Sequence, residues 1–158
     1  MSTVATLTVV RYSPARAVLG AGRVATDAPA LARTPGLRFF KSMGTGSGIG
    51  FSAKPDLRSW TLFAAWESED AWERFRAGSP LLRRHDGREE VYSLLLVPTD
   101  AHGRWSGAEP FGALDGGRVA EDEPVAVLTR ATIRATRALR FWSRVAPVDS
   151  TPRGGRGL

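Results

Sequence analysis

Apolar and polar positions along the chain switch between a period of two and a helical period, and the switches predict the order of elements. Thr6 to Tyr12 is rich in β-formers (Leu7, Val9, Val10, Tyr12) and reads as a first strand. Ser13-Pro14 offers an N-cap followed by proline at the first helical position. Ala17, Val18, Ala21, Val24 and Ala25 then recur at helical spacing. Thr26-Asp27 interrupts the pattern, and a second short helical piece is expected to run to Arg33. Thr34-Pro35-Gly36 is a turn. Leu37 to Met43 follows as a short apolar strand with Lys41 at its centre, closing in a loop with Gly44, Gly46, Gly48 and Gly50. Lys54-Pro55-Asp56 reads as another turn. Trp60, Leu62, Ala64 and Trp66 alternate with Thr61, Phe63 and Ala65, so this strand is expected to be buried on both faces. Ser68 caps a helix that begins Glu69-Asp70, buries Ala71, Trp72 and Phe75, and breaks at Gly78. Ser79-Pro80 starts a turn through Leu81, Leu82 and His85, and Val91 to Val97 is a last strand ended by Pro98.

The order strand, helix, strand, strand, helix, strand over residues 1–98 predicts an α+β fold of ferredoxin-like type, an antiparallel sheet packed against two helices. The free face of such a sheet needs a cover, most simply a second copy or a partner. Residues 99–123 read as a connector with one dense island, Arg104-Trp105-Ser106-Gly107. Within 124–147, Val125 to Ile133 is expected as a strand and Ala135 to Val145 as a helix. Val4–Ala25 lies over Val125–Ala146 without a gap, matching at Val4/Val125, Leu7/Leu128, Thr8/Thr129, Arg16/Arg137 and Ala17/Ala138 among others. The expectation is therefore an incomplete second ferredoxin-like repeat. Residues 148–158 read as a disordered tail.

With 158 residues, 42% of them apolar and with five Trp and seven Phe, the chain has material for a real core. It has no cysteine, which excludes disulfides, thiolate metal sites and cysteine nucleophiles. No signal peptide and no apolar run long enough to span a membrane is visible, so a cytoplasmic location is expected, with peripheral attachment to a membrane left open. The net charge of +6 is carried almost wholly by arginine. The basic residues lack an aromatic-plus-basic strand signature, so no nucleic-acid partner is expected.

The glycine loop fits neither the dinucleotide nor the P-loop pattern. Two histidines, His85 and His102, without H-x-x-x-H spacing make no protein-ligated metal site. Either is an exposed or capping histidine in the simplest reading, while a single histidine suffices as a haem ligand. Trp105 would by default anchor the connector to the core, and an Arg-Trp pair equally suits the lining of an apolar pocket. Arg130 and Arg134 on the later strand point to a polar face, a carboxylate partner or a haem propionate.

Three segments together resemble the spheroidene monooxygenase (acyclic carotenoid 2-ketolase) family. Arg33, Pro35-Gly36, Phe39, Lys41, Gly44, Gly46, Gly48 and Gly50-Phe51 resemble its R-x-P-G-x-x-F-x-K-x-x-G-x-G-x-G-x-G-F signature. Gly103–Gly107 with Pro110-Phe111 resembles a second motif. Leu128–Arg134, followed by Phe141-Trp142 and Arg144-Val145, resembles a third. The resemblance implies a dimeric α/β-barrel type of fold and a monooxygenase that inserts oxygen from O2 into an acyclic carotenoid or another long apolar substrate. It further implies haem as cofactor, an unidentified electron donor and a homodimer. Members of the family are longer, so a copy truncated in its second half is expected. The pocket would be rimmed by Lys41, Gly44, Gly46, Gly48, Gly50, Arg104, Trp105 and Arg130, with His85 or His102 as haem ligand and the catalytic residues unassigned. The alternative is a truncated, non-catalytic α/β module that dimerises through its sheet face.

Overall fold

The computed structural model describes residues 2–47, 54–85, 87–114, 116–117, 119–129, 135–137, 140–141 and 143. Its elements are β1 (Val4–Tyr12), α1 (Ala17–Leu31), β2 (Leu37–Gly46), β3 (Pro55–Trp66), α2 (Glu69–Gly78), α3 (Pro80–Arg84) and β4 (Arg88–Leu96). The four strands form one sheet in the order β2-β3-β1-β4, with β1 antiparallel to both of its neighbours. This is the ferredoxin-like arrangement that the order of elements predicts. The chain divides into two compact units, residues 1–45 with 57–126, and residues 46–56 with 127–158.

Alternation decides what each side of the sheet in the first unit carries. The register pairs Val4 with Trp66, Thr6 with Ala64 and Thr8 with Leu62, so these residues share the helix side. There Trp66 is fully buried against Trp72 and Phe75 of α2, at ring-centroid distances of 5.5 and 5.0 Å. Its indole N–H donates to Thr6 Oγ1 at 3.0 Å, so the one polar atom of this large ring is paired inside the core. α2 begins as its sequence dictates: Ser68 Oγ accepts from the Ala71 N–H at 3.2 Å, and Glu69 and Asp70 occupy the first turn. The turn before β2 requires glycine at 36. Its φ is +78°, and a Cβ there would lie 2.5 Å from that of Ala71.

The opposite face of β3 is also buried, as its double apolar alternation predicts: Phe63 and Ala65 are buried together with Ala5 of β1. The connector supplies the cover. Trp105 stacks on Phe63 at 5.1 Å with 28° between planes and meets Phe39 of β2 at 5.4 Å, and Phe111 sits edge-on to Phe63 at 6.2 Å. A tight turn holds the Trp105 ring there, with Trp105 and Ala108 exchanging backbone hydrogen bonds and Ser106 and Gly107 at positive φ.

Several local expectations are corrected. Thr26-Asp27 does not interrupt the first helix. Thr26 Oγ1 bonds back to the Arg23 carbonyl at 3.2 Å, the Asp27 side chain is taken up elsewhere, and α1 runs unbroken to Leu31 through Pro29. Pro14 does open a 3-10 turn ahead of α1, but the Ser13 side chain makes no cap. Pro55-Asp56 belongs to β3 rather than to a turn, and β4 begins at Arg88. Residues 125–129, the described part of the expected strand from Val125, are neither helix nor strand, and Val125, Val127 and Leu128 are exposed. In the second unit, the Ser47 N–H donates to the Lys54 carbonyl at 2.8 Å, and Ala135–Arg137 forms a 3-10 turn where a helix was expected to begin. The rest of that segment and the tail lie outside the described residues, except for helical residues at 140, 141 and 143.

Candidate functional site

On the helix side of the sheet, three elements bring one polar side chain each to a common point. β1 ends in Tyr12, whose even-numbered position turns it toward the helices. α1 buries Gly20, Asp27 and Leu31, spaced at seven and four residues and so on one helical face. Gly20 lets the backbone of α1 lie against the phenol ring: a Cβ there would sit 2.5 Å from Tyr12 Cδ2. α3 ends in His85.

The Asp27 carboxylate accepts from His85 Nε2–H at 2.7 Å. An ionised carboxylate only accepts, so Nε2 carries the proton and Nδ1 is left to accept from the Tyr12 hydroxyl. The result is a directed chain, Tyr12 to His85 to Asp27. Among the described residues the other carboxylate oxygen, Oδ1, is buried without a hydrogen bond, and Arg84 Nη1 forms an ion pair with it at 3.4 Å. Backbone contacts fix the ends: Arg58 Nε donates to the Tyr12 carbonyl at 2.9 Å, and Arg88 Nη1 to the His85 carbonyl at 3.1 Å. Burial raises the Tyr12 pKa above the ordinary phenol value, against an opposing hydrogen bond from Arg23.

This chain lines a cavity of about 590 Å³ between the sheet and the three helices. The remaining wall is largely apolar, including Leu31, Leu62, Trp72, Phe75, Leu82 and Val91, and Arg76, Arg83 and Arg88 also contribute. A mostly apolar concavity with a few convergent polar groups is the usual form of a small-molecule site.

The residues singled out from the sequence fall elsewhere. Lys41 lies on β2 with its Nζ 5.9 Å over the Phe39 ring, in an open groove of about 730 Å³ along α1 and β2 that Ser106 also lines. Phe39 links Lys41 to Trp105, so these two do share a neighbourhood. Arg104 is largely exposed and paired with Glu109 at 3.0 Å. Gly44 and Gly46 are exposed along the end of β2, whereas Gly48, Gly50 and Arg130 lie outside the described residues. His102 is 90% exposed and pairs with Asp100 at 3.1 Å. His85 is neither exposed nor a simple cap, and its two ring nitrogens are both engaged. Among the described residues, no group of three or more His, Cys, Asp or Glu could hold a metal ion, and no helix is long and apolar enough to cross a membrane.

Tyr12 and Asp27 were missed by sequence reasoning. Asp27 read as a helix breaker, yet it lies seven residues after Gly20 on the face of α1 that the apolar spacing turns inward. An acid on a buried stripe was the available signal.

No protein-family model matches the chain. The chain is similar to spheroidene monooxygenases: that of Cereibacter sphaeroides is 41% identical over 112 residues, 70% of this chain and 34% of that protein. The Rhodobacter capsulatus enzyme is 37% identical over 116 residues (73% and 48%), and that of Rubrivivax gelatinosus 37% over 145 residues (89% and 54%). The chain thus spans about a third to a half of the length of these relatives. Among solved structures it resembles SnoaB, a cofactor-independent oxygenase from Streptomyces nogalater, with a TM-score of 0.50 at 16% identity, covering 64% of this chain and 97% of that one. A candidate antibiotic biosynthesis monooxygenase from Deinococcus radiodurans matches with a TM-score of 0.51 at 12% identity, over 65% and 98% of the two chains. At such identity these likenesses establish the ferredoxin-like fold alone.

Proposed function

For this homologue of the spheroidene monooxygenases, we propose a monooxygenase activity that inserts one oxygen atom from O2 into an acyclic carotenoid or another long apolar substrate. The observation that carries the proposal is the 41% identity over 112 residues to an enzyme of that name. The helix-side cavity suits such a substrate, because its largely apolar wall removes hydrocarbon from water. The second oxygen atom leaves as water, which takes two electrons and two protons from a donor that the reaction requires.

Haem does not fit this chain's histidines. His85 has Nδ1 held by Tyr12 and Nε2 held by Asp27, so ligation would break a buried polar chain. His102 is exposed on the connector, paired with Asp100. What these residues do is bind, orient and hold protons.

The test is incubation of the purified chain with an acyclic carotenoid in micelles, a chemical reductant and ¹⁸O2, with products read by mass spectrometry. One labelled oxygen in the product is expected. Carotenoid recovered unlabelled at full reductant and oxygen would refute the proposal. A second reading, a non-catalytic module that forms a homodimer through its sheet, is favoured by apolar side chains exposed at the β4 edge, Val91, Tyr92, Leu95 and Val97. Light scattering showing a dimer whose Tyr92→Glu variant is monomeric, with no labelled product, would favour that reading.

A further inference from the structure

We propose that the outer edge of β2 is a docking groove for residues 121–129 of a second copy of this chain, which enter it as an added strand. Nothing in this docking depends on what the helix-side cavity binds.

The open groove of about 730 Å³ beside α1 runs along the edge of the sheet rather than over one of its faces. Successive residues of a strand point to opposite faces, so a groove on one face is lined by every second residue. This groove is lined by six residues in a row, Leu37 to Ser42 of β2. Val24 and Ala28 of α1 bound it on the helix side of the sheet, and Ser106 of the connector also lines it. β2 is the outermost strand, with β3 as its one neighbour among the described residues. The backbone N–H and C=O groups on its other side are a template for one more strand.

The same chain carries a strand without a sheet. Residues 121–129, EDEPVAVLT, are exposed at every position. Val125, Val127 and Thr129 alternate with Ala126 and Leu128 as in a strand, yet 124–129 are neither helix nor strand. Val127 is 86% exposed and Val125 65%. A run of β-forming apolar residues left in water is a surface that association covers.

Charge selects this segment as the occupant. Arg38 and Lys41 both line the groove, so two β2 edges brought together would set like charges against each other. Arg38 donates to Thr3 Oγ1 and Lys41 lies over the Phe39 ring, and both of those partners are neutral. Glu121, Asp122 and Glu123 lead the segment and complement the two cations. Each copy offers one edge and one segment, so a two-fold dimer uses both and closes.

The test exploits the chain's two lysines, Lys41 and Lys54. Unlabelled and ¹⁵N-labelled chains are refolded together from urea and treated with a carbodiimide, which joins an amine to a carboxylate in contact with it. Light scattering is expected to show a dimer. Mass spectrometry of the digest is expected to show Lys41 joined to Glu121, Asp122 or Glu123, with light–heavy pairs among the products. Light–light and heavy–heavy products alone would place each segment on its own chain's edge and overturn the exchange between copies. A monomer, or no junction between Lys41 and this segment, would overturn the docking itself. The double variant Ala126→Pro, Val127→Pro removes neighbouring N–H groups at exposed positions and is expected to be monomeric. Tyr92→Glu, on β4, is expected to stay dimeric. A dimeric proline variant or a monomeric Tyr92→Glu would overturn the proposal. The labelled mixture decides the matter even where a variant does not fold.

Discussion

Gly20 and Gly22 lie on the same helix two residues apart, and the same substitution in each should act with opposite sign. Glycine-to-alanine in a helix interior gains about 0.8–1 kcal/mol through backbone entropy. Gly22 is exposed, with nothing within 4 Å of where its Cβ would be, so Gly22→Ala should keep most of that gain. At Gly20 the new methyl would lie 2.5 and 2.6 Å from Tyr12 Cδ2 and Cε2. The ring cannot swing away, because Tyr12 is 1% exposed and its hydroxyl is held by His85. Overpacking of this kind costs about 1–3 kcal/mol, which exceeds the helical gain. Gly20→Ala should therefore destabilise by about 1 kcal/mol net, which separates the two variants by about 2 kcal/mol. Urea denaturation followed by far-UV circular dichroism reads the difference as opposite shifts of midpoint about the parent protein. If Gly20→Ala were as stable as Gly22→Ala, α1 would not lie against Tyr12, and the geometry of the polar chain would fall with it.

Trp105→Ala should cost about 1–3 kcal/mol, from two ring contacts worth about 0.5–1.5 kcal/mol each, measured by the same denaturation; a loss below about 0.5 kcal/mol would show that the connector does not cover the sheet. Thr6→Val keeps the shape but leaves the Trp66 indole N–H unpaired in the core. Its expected cost is about 1–3 kcal/mol, and an unchanged midpoint would count against that bond. Burial raises the Tyr12 pKa in the folded state, so the native protein holds this proton more tightly than the unfolded chain. That contribution is fully present below the ordinary phenol value of about 10 and is lost as pH rises through the raised one. Stability measured against pH should show an alkaline decline that is shallower in Tyr12→Phe; identical declines would refute the assignment.

What was legible in the sequence follows from period and punctuation. The double alternation from Trp60 to Trp66 revealed a strand buried on both faces, and Ser68 with Glu69-Asp70 marked the helix start that the structure caps. Thr26-Asp27 misled because propensity is a local signal. Asp27 pairs through Oδ2 with His85, 58 residues away in the chain, and no local pattern announces that partner. His85 was noticed as a type of residue, but its role depends on Tyr12, 73 residues distant. Spacing along one element places residues on a face; it does not say which faces of three elements will meet.

The same distinction bears on the first family-like motif, four of whose described members have a local structural role. The Arg33 guanidinium donates to the Pro29 carbonyl at 3.2 Å and so closes the end of α1. Gly36 is where the turn passes Ala71 too closely for any side chain. Phe39 and Lys41, two residues apart, share the sheet face that Trp105 covers, and Lys41 lies over the Phe39 ring. Ser42, on the alternate side of the same strand, lines the helix-side cavity. Phe39 and Phe63 together seat Trp105 of the second motif. Through Phe39 and Trp105 the two motifs are in contact. It follows that substitutions at Phe39 or Trp105 should lower stability, because each removes ring contacts that seat the connector on the sheet.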